Sequence, residues 1–134
     1  MSPAEDRLAI REVLDSFADA VSVRDPAAFG ATWAEDAVWF IRGGEIIGRP
    51  AIVAAWLGFL TDFATIGFFS HPGPLDINGD QARCMTQVLE FLEPRGGPRR
   101  AQVGIYDDRF IRRAGIWQFA ARRLRIVQPG TDGF

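Results

Sequence analysis

Between Arg100 and Val127 the chain reads RAQVGIYDDRFIRRAGIWQFAARRLRIV, with apolar and polar residues alternating over most of the stretch. A period of two is the pattern of a half-buried strand, and Arg113, Ala114 and Gly115 supply a tight turn in the middle. The stretch therefore predicts two long antiparallel strands. Tyr106, Asp108, Phe110 and Arg112 share one face of the first strand, and on the second Ile116, Gln118 and Ala120 alternate with Trp117, Phe119 and Ala121. One face of such a sheet packs under helices, and the other meets solvent or a second subunit.

Upstream the period changes to that of a helix. Ser2, Pro3 and Glu5 form a capping box with proline at the first helical position, and Ile10, Val13, Leu14, Phe17 and Val21 recur at helical spacing to a stop near Arg24. The same periodicity turns Asp19 to solvent and leaves Ser22 near the edge of the apolar stripe. Asp25 and Pro26 restart a short helix with Phe29 and Trp33 on its inner side, ending at Asp36. Residues 37–42 then predict a strand that turns at Gly43 and Gly44 and returns through Ile47. Gly48, Arg49 and Pro50 open a third helix, with Ile52, Trp56, Phe59, Leu60 and Phe63 on one face. An extended run from Phe68 to Ile77 is broken by Pro72, Gly73 and Pro74, and Asn78, Gly79 and Asp80 turn into a long strand from Gln81 to Leu92. The predicted order is three helices, with a short hairpin before the third, then four antiparallel strands.

At 134 residues, 48% hydrophobic, with a net charge of -2, the chain is long enough for one domain with its own core, spanning residues 1–134. All 15 basic residues are arginines and the 17 acidic ones are scattered, so no basic run predicts a nucleic-acid footprint. Cys84 stands alone, which excludes an internal disulfide, leaves no Cys/His cluster of zinc spacing, and fits a reduced, cytoplasmic setting. The start MSPAEDRLAI is charged too early for a signal peptide, and no apolar run approaches the ~20 residues of a membrane span. Neither secretion nor membrane insertion is expected.

The order of elements, together with AEDAVWFIRGGEIIGRPAIVAAWL (34–57) and GIYDDRFIRRAGIWQF (104–119), resembles the SnoaL-like branch of the nuclear transport factor 2-like superfamily. The resemblance spans nearly the whole chain. It implies an α+β cone, in which a strongly curved mixed or antiparallel sheet encloses three N-terminal helices and a central pocket. Within the superfamily the residues look most like the cofactor-free lyases, namely scytalone dehydratase, bile acid dehydratase and a dehydrochlorinase, where a histidine on the strand after the third helix is the base. His71 falls at that position. The first-helix aspartate that supports the histidine in those relatives, and the tyrosine one turn earlier, match Ser22 and Phe17 here. The first-strand aspartate of ketosteroid isomerase relatives matches Ile41. Tyr106 matches a polar pocket position, Arg125 matches an arginine near the end of the last strand, and Asp108 faces the same way as Tyr106 by strand parity.

These residues define two readings. In the first, the chain is a cofactor-free lyase or isomerase for a small hydrophobic molecule: His71 removes a proton, Tyr106 or Asp108 hydrogen-bonds the developing oxyanion or leaving group, and Trp39, Ile41, Trp56, Phe59 and Met85 exclude water. No cofactor or metal is called for. In the second, the fold has lost its chemistry and serves as a ligand-binding or dimeric assembly module. His71 is then a hydrogen-bonded structural group, Tyr106 and Asp108 a surface pair, and the aromatics plain core. Arg122, Arg123 and Arg125 read as a basic stripe on a solvated or subunit-facing edge, or as a hold for an acidic tail. A homodimer is expected through an outer sheet face carrying part of Trp117, Phe119 and Ile126.

Overall fold

The computed structural model describes residues 1–127. Its elements run α1 (Pro3–Val23), α2 (Pro26–Ala31), β1 (Trp33–Ile41), β2 (Gly44–Ile47), α3 (Arg49–Leu60), β3 (Phe63–Pro72), β4 (Asp76–Asn78), β5 (Gln81–Pro94), β6 (Arg100–Arg113) and β7 (Ile116–Val127). The helix starts reflect the chemistry of their caps. Ser2 Oγ accepts the Glu5 N–H at 3.1 Å and Asp25 Oδ1 accepts the Ala28 N–H at 3.1 Å, each ahead of a proline in the first turn. The β6–β7 turn places Ala114 at φ 50° and Gly115 at φ 75°, left-handed geometry that glycine adopts without a Cβ clash.

The strands form one sheet of seven in the order β2-β1-β7-β6-β5-β3, with β4 also on β5. β1 runs parallel to β7 while the remaining pairs are antiparallel, so the sheet is mixed. The expected hairpin over 37–47 is present as β1–β2, and its first strand also joins the main sheet through β7. The strand begins earlier, at Trp33, and the second helix, expected to run to Asp36, stops at Ala31, because the Thr32 carbonyl accepts the Phe119 N–H at 2.8 Å and draws the chain into the sheet. Only α1 and α2 precede the sheet, and α3 is inserted between β2 and β3, so the enclosed helices are not all N-terminal. Phe63 opens β3 instead of ending α3.

α1 lays Ile10, Leu14, Phe17 and Val21, all buried, against the concave side of the sheet. Each such side chain contributes about 1.5–3 kcal/mol when fully buried. Phe17 is the hub of the packing, with Phe29, Trp33, Phe68, Tyr106 and Phe119 rings at 5.1–6.5 Å. A bulge on β7 determines which of that strand's residues face the interior. Phe110 pairs with Phe119 and Arg109 with Ala121, so Ala120 is an extra residue and the strand's parity flips there. Trp117 and Phe119 face inward before the bulge, and Arg122 and Leu124 face inward after it. Trp117 and Phe119 are thus core residues and not part of an outer face, and Arg122 is removed from the expected basic stripe.

Candidate functional site

α1 covers one part of the concave face and α3 another, and between them lies a cavity of about 490 Å³. Its walls come from the end of α1 (Phe17, Val21), from α3 (Trp56, Phe59, Leu60), from β1 (Trp39, Ile41) and from the inward rows of β3, β5, β6 and β7. The aromatic side is held rigidly. Phe29 stacks on Trp56 with centroids 4.0 Å apart and planes 6° off parallel, and Trp39 meets Phe59 edge-on at 5.8 Å.

The polar atoms of the cavity stand on the sheet side. Tyr106 is buried, and its Oη accepts a hydrogen bond from Trp39 Nε1 at 3.1 Å, which leaves the phenolic proton available for a molecule in the cavity. Burial pushes the Tyr106 pKa well up, the Arg122 guanidinium opposes this, and the nearby Glu90 charge adds to it, so the phenol stays neutral and remains a donor. Glu90 lines the same cavity from β5, opposite Gln102 of β6 in register. Gln102 Nε2 donates to Glu90 Oε1 at 3.2 Å. Burial raises the Glu90 pKa above the ordinary carboxylate value, against the opposing effects of the Gln102 hydrogen bond and the positive charges of Arg100, Arg122 and Arg42. Arg42, from the β1–β2 turn, rests its guanidinium 4.0 Å over the Phe59 ring, and both Arg42 and Arg100 line the cavity.

Of the residues expected at the site, Phe17, Trp39, Ile41, Trp56, Phe59 and Tyr106 all line the cavity. The others do not. His71 is exposed on the outer side of β3, beside exposed Phe69 and across from exposed Gln87. The reason is parity: Phe68 is fixed inward by its contact with Phe17 at 5.4 Å, and an odd number of residues later the chain points outward. Ser22 is not in the lining either, because its Oγ accepts the Phe68 N–H at 3.3 Å and donates to the Phe68 carbonyl at 3.5 Å. Met85 and Arg125 lie on the outward rows of their strands, with Arg125 in a shallow groove beside Phe40 and Glu45.

Asp108 is buried but occupied. Arg122 Nε and Nη2 donate to its two oxygens at 2.6 and 3.0 Å, and Thr86 Oγ1 donates at 2.6 Å. The Arg122 guanidinium is stacked 3.8, 4.4 and 4.3 Å from the Tyr106, Phe17 and Phe119 rings. Neither a surface pair nor an oxyanion donor, Asp108 is a structural counter-ion beneath Tyr106. Cys84, 3.4 Å from Thr86 Oγ1, is a buried thiol whose pKa burial raises.

Sequence reasoning missed Glu90, Gln102, Arg42 and Arg100. The signal for Glu90 was present: Ala82, Cys84, Thr86, Val88 and Leu92 form the buried row of β5, and Glu90 is the one carboxylate at that parity. Among the described residues no group of three metal-ligating side chains occurs, and no helix is long and apolar enough to cross a membrane.

Comparison with solved structures places this geometry among known folds. A hexachlorocyclohexane dehydrochlorinase from Novosphingobium barchaimii superposes with a TM-score of 0.86 at 18% identity, over 98% of this chain and 94% of that one. A scytalone dehydratase-like protein from Novosphingobium aromaticivorans gives 0.85 at 20% identity, over 93% and 86%. A dehydratase-like protein of the NTF2-like family from Streptomyces avermitilis gives 0.83 at 17% identity, over 96% and 100%. At these identities the likeness is one of fold. No curated protein matches in sequence. The family model for the SnoaL-like domain matches residues 2–123, nearly the whole described chain, and the protein therefore belongs to the SnoaL-like family.

Proposed function

We propose that the chain is a small-molecule lyase or isomerase acting, without a cofactor, on a largely apolar molecule held in the cavity between α1, α3 and the sheet. One observation carries this reading: the cavity sets rigid aromatic rings (Trp39, Trp56, Phe59) against a wall that holds both a neutral phenol with a free proton and a carboxyl group. Such an arrangement holds a ring system by burial and directs its one polar atom to Tyr106. In an enolisation or elimination, negative charge develops on an oxygen, and a preorganised O–H donor stabilises it more in the transition state than in the ground state. The dehydratase and dehydrochlorinase neighbours support elimination chemistry through likeness of fold alone.

A second reading, a ligand-binding module without chemistry, draws on the outward position of His71 and on Ser22, whose hydroxyl is spent on the β3 backbone. Both readings require the cavity to take a small aromatic molecule. Titration with 2-naphthol, with quenching of tryptophan fluorescence as the signal, tests this requirement. Saturable quenching is expected, and Ile66→Trp, which fills the cavity from β3, is expected to abolish it. Quenching that is absent, or unchanged by Ile66→Trp, would place the ligand elsewhere and overturn the reading.

A further inference from the structure

We propose that Glu90, anchored by Gln102, is the proton-transfer residue of the cavity, and that its substrates are ring compounds with an acidic C–H beside a carbonyl group. The inference rests on the small-molecule reading and names the group that does its chemistry. A base must reach the bound molecule, and His71 faces away from the cavity while Asp108 has both oxygens engaged by Arg122 and Thr86. Glu90 meets the requirement. It lies on the inward row of β5, one oxygen takes the Gln102 hydrogen bond, and Oε2 has no protein partner among the described residues.

Its placement relative to Tyr106 fits the task. In the β5–β6 register Glu90 sits opposite Gln102 and Thr86 opposite Tyr106, so carboxyl and phenol enter the cavity from neighbouring strands four residues apart. At about 3.3 Å per residue this offset is roughly 13 Å along the strands, and both side chains line the one cavity. In the proposed complex a two-ring ketone lies in this cavity with its carbonyl oxygen toward Tyr106 and an acidic C–H toward Glu90. Between the two, Gly104 keeps the wall low: a Cβ there would stand 2.8 Å from Leu124 Cδ1 and 3.2 Å from Val88 Cγ2.

The charged and polar groups facing Glu90 tune it in opposing directions. Gln102 and Arg100 from β6, Arg42 from the β1–β2 turn and Arg122 from β7 favour the carboxylate, while the apolar lining contributed by α1, α3 and β3 favours the acid. A carboxylate of raised basicity is a better proton acceptor than an exposed one. The step conserves atoms and electrons. The Glu90 carboxylate takes the proton, the C–H pair becomes the enolate double bond, and the carbonyl π pair moves to the oxygen that Tyr106 hydrogen-bonds. Return of the proton to the same carbon regenerates the ketone, and return to a conjugated carbon gives an isomer.

Reversible exchange needs no knowledge of the natural substrate. In D₂O, 2-tetralone loses its C1 hydrogens to solvent deuterium, and proton NMR tracks the rate, with 2-naphthol quenching recording cavity occupancy in parallel. The wild-type protein is expected to accelerate exchange over buffer, Glu90→Gln to lose about 10²- to 10⁴-fold of the acceleration while still binding 2-naphthol, and His71→Ala to leave it unchanged. Gln102→Leu removes a bond that favours the carboxylate, so it moves the pH inflexion of the exchange rate upward. Naphthol binding without acceleration, or acceleration that survives Glu90→Gln, overturns the assignment of Glu90 and leaves the cavity reading standing. Absence of naphthol binding by the wild type overturns both.

Discussion

Removing the Asp108 carboxylate leaves the Arg122 guanidinium buried without its counter-ion, and this change measures how the sheet supports the cavity. Both side chains are almost wholly excluded from solvent, at 0% and 1% exposure, and they share two hydrogen bonds of 2.6 and 3.0 Å. Breaking one side of such a pair costs about 3–5 kcal/mol, because the remaining charge keeps its desolvation penalty and loses the attraction that offset it. Thr86 also loses its acceptor at 2.6 Å. Asp108→Ala is therefore expected to lose about 3–5 kcal/mol in urea unfolding, and its melting temperature to fall by roughly 10–20 °C for a domain of this size. The double variant Asp108→Leu with Arg122→Met, which replaces both charges by apolar groups of similar volume, should lose less than about 2 kcal/mol. A single variant costing under about 1 kcal/mol, or a double variant as damaged as the single, would refute the view that an uncompensated charge dominates. The readout bears on the site as well, since the guanidinium lies 3.8 Å over the Tyr106 ring.

Glu90 ionises at higher pH in the folded chain than in the unfolded one, so the unfolded state releases its proton first and rising pH favours unfolding through this group. Its contribution is complete below the unfolded pKa and is lost as pH climbs through the folded one. The stability of Glu90→Gln relative to wild type should grow across the weakly acidic range and stay constant above it, as read by urea unfolding at pH 4 and pH 8. Asp6 accepts Arg112 Nη1 at 2.6 Å and Trp117 Nε1 at 3.0 Å, so Asp6→Ala should cost about 1–3 kcal/mol in the same assay, largely from the unpaired indole N–H. The expected homodimer, if it forms, should use the outer face of β3 and β5, where Phe69 and Phe91 are 59% and 51% exposed and their rings lie 6.0 Å apart. Phe69→Glu should convert it to a species of one chain's mass in light scattering, and an unchanged mass would exclude that face.

Local chemistry made the secondary structure legible. Ser2 with Pro3 and Asp25 with Pro26 begin helices because a side-chain oxygen and a preset φ satisfy the first turn, and Ala114 with Gly115 make the β6–β7 turn for a comparable reason. The aromatic lining was legible as well, since Trp56 and Phe59 fall on α3 and Trp39 and Ile41 on β1 at the parity that faces the helices. What escaped was non-local. The parallel pairing of β1 with β7 depends on a partner some eighty positions away. The extra residue Ala120 flips the parity of β7, and nothing in the sequence around it separates that flip from plain alternation, so Arg122 read as solvated. His71 was placed by its position after the third helix, whereas its direction is set by Phe68 packing on Phe17. Glu90 was hidden by the ordinary rule that carboxylates face water, which holds for most of the chain but fails at Asp6 and Asp108, buried against arginines, and at Glu90, where the cavity provides an amide donor and nearby guanidinium charge.

If a small molecule meets its reactive groups in the interior between α1, α3 and the sheet, and not on the face bearing His71, a crystal structure of the protein with 2-naphthol bound will show it there. The two rings are predicted to lie against Trp39, Trp56 and Phe59, with the naphthol oxygen within hydrogen-bond distance of Tyr106 Oη or the Glu90 carboxyl. Naphthol found on the outer side of β3 beside His71, with nothing bound in the interior, would contradict that placement.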